Sequence, residues 1–346
     1  MIKNFEIHDY RQFKNAKFDD FSNINLFVGE NDTGKTTILK FLYSNIYLLK
    51  HEIDNHIYNI PDALPILVDT PLGGDIEHIN NLNQYYQNHL FLNTKLIKLL
   101  LFDNKNINFK TSFINSKNEI ITSDDNINNY NYDYKPLFIP AKEILSIMNA
   151  IIYLKNQNIE SGFDDSYTDI IYEILARKNI DERELLSVFK NKYNFYNGNI
   201  QIDKNTNMIN YYKNDGNIYN INITAEGIKK LGIFEVLHNT GNLTKKSILF
   251  IDEPENSLHP KMVRELMRFL YDISKEGVQI FIASHNSFVL NQLSNIAIKN
   301  NYPINVYFFI KENNYTKIDG AYDLSKEFPD NSISDEAYDM FVESKN

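Results

Sequence analysis

The segment GENDTGKTT, from Gly29 to Thr37, carries the strongest chemical signal in the sequence. Its spacing matches G-x-x-x-x-G-K-[ST], and it lies between a predicted strand and a predicted helix. Backbone N–H groups of such a loop and of the following helix N-terminus converge on phosphate oxygens. We therefore predict a phosphate-binding loop in which the Lys35 ammonium contacts phosphates and the Thr36 hydroxyl ligates Mg²⁺. The nucleotide-binding residues predicted in this loop are Gly29, Asn31, Gly34, Lys35, Thr36 and Thr37.

Two carboxylates follow the apolar run ILFI, which is typical of a buried parallel strand. Asp252 and Glu253 are therefore expected at the carboxyl edge of a parallel sheet, where ligands bind. We predict that Asp252 holds Mg²⁺ through water and that Glu253 orients and polarises an attacking water, as a general base.

One histidine is predicted at the same edge. His285 comes directly after the next buried strand, in the segment FIASHNS. A neutral imidazole can bond both to a phosphate and to a water-orienting carboxylate. We predict that His285 contacts the terminal phosphate, and the catalytic pair predicted from the sequence is thus Glu253 and His285.

A glycine near a predicted helix start raises a separate question. Gly227 lies in TAEGIKKLG, where a good helix former would be more favourable by about 1 kcal/mol. The glycine is either tolerated there or required by something that approaches the backbone closely.

The remaining pattern predicts an α/β fold around these segments. Alternating apolar and polar residues predict strands near the N-terminus, and a short apolar strand ends at Gly29. Turn signals at Asn197-Gly198 and Asp215-Gly216 predict antiparallel hairpins. The pattern of residues 54–130 predicts helices and loops. We predict one domain over residues 1–346, with a mixed sheet, an antiparallel β-subdomain and a helical insertion over approximately residues 50–195.

Composition narrows the class of protein. The chain of 346 residues has no Cys, which excludes disulfides and thiolate metal sites. Its net charge of −10 argues against a surface covered with nucleic-acid phosphate contacts, although a local basic groove stays open. The sequence shows no signal peptide and no apolar run long enough to span a bilayer, so a cytoplasmic location without membrane contact is expected.

The phosphate loop, LFIDEPENSLHP and IASHN, in this order, resemble the ABC-type ATPase superfamily, and most closely its branch containing SMC, RecF and OLD-family ATPases. The resemblance implies an ABC-type P-loop NTPase fold with ATP and Mg²⁺ as cofactors. It also implies a homodimer, or a higher oligomer, with composite ATP sites. Asn256 to Pro260 are similar to the D-loop of that family.

In that family a signature segment from one subunit contacts the nucleotide of the other. TAEGIKKLG lies in the corresponding place, with Gly227 matching and Ala225 standing where Ser is frequent. The resemblance implies that backbone amides, with Lys229 or Lys230, take over part of that contact. Arg11 matches an arginine common in the branch and lies either near the nucleotide or on the solvated surface. The expected Q-loop has no Gln, which leaves only Lys142 and Glu143 as candidates.

The functional expectation comes from the residues after His285. The last 60 or so residues contain no Asp-x-Asp of a nuclease module, and the predicted insertion shows no sustained heptads. We expect a stand-alone ATPase, without intrinsic nuclease activity, that regulates a separate effector such as a nuclease or toxin in bacterial antiphage defence. The alternatives left open are a RecF-like repair ATPase that clamps DNA and a binding regulator with little turnover.

Overall fold

The structure is a computed structural model that describes residues 1–44, 46–47, 96–102, 106–111, 134–179, 181–190, 195–203, 206, 208–330 and 343. In chain order, the strands are β1 (Ile2–Tyr10), β2 (Phe13–Phe18), β3 (Ile24–Gly29), β4 (Leu96–Phe102), β5 (Asn106–Thr111), β6 (Lys135–Ile139), β7 (Gly198–Ile202), β8 (Ile209–Lys213), β9 (Ile218–Asn220), β10 (Ser247–Asp252), β11 (Gln279–Ser284), β12 (Ile304–Glu312) and β13 (Tyr315–Asp323). The α-helices are α1 (residues 35–44), α2 (Met148–Asn156), α3 (Asp165–Leu175), α4 (Ser187–Lys190), α5 (Glu226–Asn239), α6 (Pro260–Lys275) and α7 (Ser287–Asn300).

The central sheet has six strands in the order β13-β12-β3-β11-β10-β6. Strands β12, β3, β11, β10 and β6 run parallel, and β13 pairs antiparallel with β12 at one edge. Strand β3 therefore lies between two strands from the C-terminal part of the chain. Because all parallel strands point the same way, the residues after β3, β10 and β11 meet at one edge of the sheet.

The two faces of the central sheet differ in side-chain type. Phe27, Phe250 and Phe281 point into a core shared with α1, β1 and β2. The alternate positions on the same strands are aliphatic, such as Leu26 and Leu249, and belong to a second core with α3, α5, α6 and α7. Strand side chains alternate between faces, so each buried strand supplies both cores.

Two antiparallel sheets flank this centre. One has the order β2-β1-β4-β5, and the other has the order β7-β8-β9. The second sheet confirms antiparallel hairpins, with Asp215-Gly216 in the turn between β8 and β9. The predicted turn at Asn197-Gly198 is wrong, because Gly198 begins β7 and pairs with Lys213. Strands β4 and β5 lie where the sequence indicates helices and loops, so that part of the prediction is wrong. A short apolar run does not distinguish helix from strand, and here pairing with β1 decides.

The predicted α/β class with a mixed sheet and antiparallel strands is confirmed. The insertion over residues 50–195 stays a prediction, and much of it lies outside the described residues. Its described part contains strands β4 and β5, strand β6 of the central sheet and helices α2, α3 and α4. Within the described residues, no helix combines the length and apolar character needed to cross a membrane.

Candidate functional site

The loop between β3 and α1 has the shape that its glycines allow. Gly34 has a φ of +87°, a conformation that L side chains rarely adopt. A Cβ atom at Gly34 would also overlap the side chains of Gln12 and Phe13, from the turn between β1 and β2. At Gly29, a Cβ atom would lie 2.5 Å from the carbonyl oxygen of Phe309 in β12. Both glycines are therefore required by the surrounding chain itself.

The Lys35 side chain is folded into this loop. Its Nζ donates hydrogen bonds to the carbonyl oxygens of Gly29, at 2.8 Å, and Glu30, at 2.7 Å. Burial lowers the pKa of the Lys35 ammonium, and the nearby carboxylates, Glu253 foremost, oppose that shift. A buried ammonium beside open loop amides is a strong point charge for a polyanion such as a nucleotide phosphate.

The Thr36 hydroxyl and the Asp252 carboxylate meet at the strand edge, as the sequence predicts. Thr36 Oγ1 donates to Asp252 Oδ1 at 2.7 Å, although the two residues are 216 positions apart. Burial, together with the nearby charge of Glu253, raises the pKa of the Asp252 carboxyl to about 6, although the hydrogen bond from Thr36 opposes this shift. A hydroxyl and a carboxylate side by side are a donor set that Mg²⁺ accepts.

Glu253 lies directly beyond β10 in an unusual backbone conformation. Its φ is +42°, and its N–H donates to the carbonyl oxygen of Ala283 at 2.9 Å. Asn256 Nδ2 donates to Glu253 Oε2 at 2.6 Å, and His285 Nδ1 lies 3.2 Å from Glu253 Oε1 without a hydrogen-bonding alignment. The strained conformation turns the carboxylate toward His285, so the structure brings the two predicted catalytic residues together.

The signature-like segment forms the N-terminus of α5. Ala225 is the N-cap residue and provides no side-chain hydrogen bond to the helix. A Cβ atom at Gly227 would find its nearest neighbour, Leu258 Cδ2, at 3.3 Å, so its own chain leaves nearly enough room for a side chain. In the first turn of this 14-residue helix, the Ile228 N–H bonds to the Ala225 carbonyl oxygen at 3.0 Å. The Ala225 side chain offers no acceptor to the N–H groups of Glu226 and Gly227.

The two lysines of this segment point back into the same chain. Lys230 Nζ donates to the carbonyl oxygens of Ala141, at 2.8 Å, and Glu253, at 2.7 Å. Burial lowers the pKa of Lys230 to about 8. Lys229 Nζ bonds to Glu226 at 2.9 Å. Both ammonium groups thus support the local fold rather than projecting from the helix start.

The other residues predicted near the nucleotide differ in how close they lie to the phosphate loop. Arg11, with a φ of +49°, donates from Nη1 to Thr37 Oγ1 at 3.2 Å, which places it beside the phosphate loop. Asn31 is exposed in that loop. Of the two Q-loop candidates, Glu143 accepts a hydrogen bond from the Ser146 N–H at 3.2 Å, and Lys142 Nζ lies 5.7 Å from the Phe163 ring centre. Neither contacts the predicted catalytic pair.

A cleft of 460 Å³ adjoins the site. It lies between the segment after β6, the start of α5 and the D-loop-like segment. Lys230 and Asn256, which both bond to Glu253, are among its lining residues. The cleft is therefore lined by two residues that contact Glu253, Asn256 at its carboxylate and Lys230 at its backbone carbonyl.

The sequence indicated neither the contacts of Asn256 and Lys230 with Glu253 nor a place for Glu255, which accepts a hydrogen bond from Ser284. Glu255 is a second buried glutamate, and the acidic spacing DEPE was its available signal. The Asn256 and Lys230 contacts depend on tight turns and on helix packing, which residue spacing does not reveal.

Comparisons with known proteins show which family the chain resembles. Residues 85–291, more than half of the chain, match the family model described as "AAA domain, putative AbiEii toxin, Type IV TA system". A protein of Helicobacter pylori named "ATP/GTP phosphatase" is 24% identical, over 83% of this chain and 85% of that protein.

Two solved structures share the fold. The SMC head domain from Thermotoga maritima has a TM-score of 0.50 at 12% identity, covering 93% of this chain and 99% of that one. An SMC head domain with an extended coiled coil, from Pyrococcus furiosus, has a TM-score of 0.51 at 10% identity, covering 100% of this chain and 99% of that one. The latter was solved bound to the C-terminal domain of ScpA.

Proposed function

Because this chain belongs to the family described as "AAA domain, putative AbiEii toxin, Type IV TA system", we propose that it hydrolyses ATP with Mg²⁺ at sites shared by two copies and thereby controls a separate effector. The family model and the SMC-head fold confirm the resemblance seen in the sequence, to an ABC-type P-loop ATPase of the SMC/RecF-like branch. This family and fold support ATPase activity. The shared sites, the metal and the effector belong to our proposal.

The observation that carries the proposal is the meeting of three distant segments at one sheet edge. Thr36 Oγ1 lies 2.7 Å from Asp252 Oδ1, and Glu253 Oε1 lies 3.2 Å from His285 Nδ1. Lys35 lies close enough for the charges of Asp252 and Glu253 to influence its pKa. This arrangement supplies a phosphate cradle, two oxygen ligands and a carboxylate in one place.

The described residues fit a magnesium ion. The Asp252 carboxylate is buried with a raised pKa, so a cation beside it would relieve the cost of its charge. Together with the Thr36 hydroxyl it would hold Mg²⁺ while water and phosphate oxygens complete the shell. Bound Mg²⁺ would neutralise charge on the β- and γ-phosphates.

The chain's own residues divide the remaining work. Lys35 and the loop amides bind the phosphates, and Glu253 orients the attacking water and accepts its proton. Asn256, through its bond to Oε2, fixes one side of the Glu253 carboxylate. His285 stands on the other side, where it is suited to contact the γ-phosphate.

The dimer proposal is supported by the start of α5. Its uncapped N–H groups and the small Gly227 suit the approach of an anion from another molecule. We assign Ala225 and Gly227 to the nucleotide of a second copy and Arg11 to the nucleotide of the same chain. The effector, nuclease or toxin, is supported by the wording of the family description alone, and the cytoplasmic location and lack of nuclease activity stay predictions from sequence.

The test is the variant Glu253→Gln with ATP and Mg²⁺. Turnover should fall by about 10²–10⁴-fold, because a general base is lost while the shape of the side chain is kept. Light scattering should then show an ATP-dependent dimer that persists because hydrolysis is slow. Glu265→Gln, on the exposed side of α6, is the matched control and should behave like the unmodified protein.

Two results would contradict the proposal. Unchanged turnover in Glu253→Gln would show that Glu253 is not the general base. If both the unmodified protein and the variant stay monomeric with ATP, the ATP site is not shared by two copies.

A further inference from the structure

Glu255 is a buried carboxylate in the site region to which the proposed mechanism gives no role. Its exposed fraction is 6%, and its Oε1 accepts a hydrogen bond from Ser284 Oγ at 2.6 Å. Its Oε2 is buried and has no hydrogen-bond partner among the described residues. Buried polar atoms in native proteins are nearly always paired, so this carboxylate calls for an explanation.

Ser284 connects Glu255 to the segment that carries His285. The Ser284 hydroxyl oxygen accepts a hydrogen bond from the Asn286 N–H at 3.0 Å while its own proton goes to Glu255. Asn286 in turn caps α7, since its Oδ1 accepts from the Phe288 N–H at 2.8 Å. The contacts of Ser284 and Asn286 therefore fix the backbone on both sides of His285.

Glu255 also belongs to the same turn as the proposed general base. It follows Glu253 by two residues, and the Glu253 N–H bonds to the Ala283 carbonyl directly before Ser284. The ends of β10 and β11 are thus joined twice, once through the backbone and once through the Glu255 side chain. Any movement of the Glu255 carboxylate would be transmitted to the segment holding His285.

The charges around Glu255 fit such a connection. Burial raises the pKa of the Glu255 carboxyl, and the hydrogen bond from Ser284 and the nearby His285 lower it. Glu255 is also among the carboxylates whose charge acts on Lys35 and on Lys230. The carboxylate therefore lies inside the charge network of the site, rather than in a separate part of the core.

We propose that Glu255 is a positioning residue that holds His285 in place for the γ-phosphate through the hydroxyl of Ser284. The inference rests on the proposed function, in which His285 contacts that phosphate. Its consequence is selective: loss of the Glu255–Ser284 bond weakens recognition of the γ-phosphate and leaves the rest of the nucleotide site unchanged.

The experiment compares Glu255→Ala, Glu255→Gln, Ser284→Ala and His285→Ala, and combines the first with the last. Turnover of ATP and the affinities for ATPγS and ADP are measured for each protein. Glu255→Ala should lower turnover about 10-fold, because small displacements of a positioned group are costly in catalysis. It should weaken ATPγS binding while ADP binding is unchanged, since ADP lacks the phosphate that His285 contacts.

Three comparisons separate this role from simple structural support. Ser284→Ala should lower turnover at least as much as Glu255→Ala, because it removes the same bond and also the acceptor of the Asn286 N–H, while the buried charge stays. Glu255→Gln should retain most activity, because its amide oxygen still accepts from Ser284. The double variant should be no worse than His285→Ala alone, since residues that act through one another are not additive.

Glu235→Ala is the matched control. Glu235 is also a largely buried carboxylate with a raised pKa, and it accepts hydrogen bonds from Tyr196 Oη at 2.6 Å and from the Ile200 N–H at 3.1 Å, away from the site. Its loss should lower the unfolding temperature without changing the ratio of ATPγS to ADP affinity.

The outcomes are distinguishable. Additive losses in the double variant, or equal weakening of ATPγS and ADP, would overturn the inference while leaving the proposed ATPase intact. Normal turnover and binding in His285→Ala would remove the γ-phosphate contact itself, and the inference would fall with that part of the proposed function. If Glu255→Ala does not fold, Ser284→Ala and Glu255→Gln decide, and an unchanged Ser284→Ala protein would overturn the inference.

Discussion

Two helix N-termini in this protein, those of α1 and α5, are proposed to face phosphates. They differ in whether the surrounding chain leaves room for a side chain at their glycines. In the loop that leads into α1, both Gly29, at the end of β3, and Gly34 are surrounded by atoms that leave no room for a side chain. At the start of α5, Gly227 has ordinary backbone angles, and its nearest neighbour is the flexible end of Leu258. Only the first start is fully explained by the folded chain.

This difference indicates whether the reason for each glycine lies in the folded chain or in a ligand. A glycine that the fold requires says little about ligands, because any side chain there would disturb the native packing. A glycine that the fold does not require is more informative, since alanine would stabilise the helix by about 1 kcal/mol. For Gly227 the reason must come from outside the chain, and a second copy with its nucleotide is the proposed source.

The most direct test of this difference is the same substitution, to alanine, at Gly34 and at Gly227. Gly34→Ala should be strongly destabilising, because the left-handed backbone alone costs about 1–2 kcal/mol and the overlap with Phe13 adds to it. Gly227→Ala should preserve or raise the unfolding temperature. Thermal unfolding of the nucleotide-free proteins measures both effects.

The ATP response should show the reverse pattern for Gly227. Gly227→Ala should bind ATP normally as a single chain but dimerise less, whereas Gly34→Ala should lose ATP binding altogether. Equal loss of stability in both variants would mean that α5 needs its glycine for folding, and the comparison would then fail.

A smaller but more specific effect is expected from Gly227→Asp in the Glu253→Gln background. A carboxylate at the helix start would repel and crowd the γ-phosphate of the second copy, so the ATP-dependent dimer should disappear. Light scattering with and without ATP measures this. Asn295→Asp is the control, since it adds the same charge at an exposed position of α7 without replacing a glycine. A dimer that survives Gly227→Asp would place the interface elsewhere.

The smallest effect is expected from Ala225→Ser. A serine at this N-cap position would accept a hydrogen bond from the first turn and stabilise α5 by about 1 kcal/mol. The hydroxyl would also add a donor for the partner's nucleotide, so the dimer should tighten a few-fold, by the equivalent of one modest hydrogen bond. Chemical denaturation and dimer dissociation constants measure the two effects, with Ala225→Val as a control that lacks the hydroxyl. No gain in either would make the missing cap irrelevant.

The sequence predicted the edge of the central sheet well. Spacing around Lys35, and the apolar runs before Asp252 and His285, are local signals, and parallel strands bring their ends together automatically. The contacts of Thr36 with Asp252 and of Glu253 with His285 were therefore within reach of sequence reasoning.

Other features depended on distant packing. Strand β4 was missed because its strand character comes from pairing with β1 rather than from its own periodicity. Lys230 was expected to help an external contact, yet it bonds to the carbonyl oxygens of Ala141 and Glu253. The long lysine side chain can turn either way, and only the arrangement of the loops decides its direction.

The position of β3 in the sheet has a consequence for how the protein is made. Ile24 pairs with Ile280 on one side and with Ile304 on the other. During synthesis, β3, which leads into the phosphate loop, therefore has no partner strand in this sheet until residues more than 250 positions later have been made. Such long-range pairing slows folding and leaves hydrophobic strands unprotected in the meantime. A nascent chain that ends before β11 cannot complete the sheet around this loop, so ATP becomes a ligand only after β11 and β12 have been made.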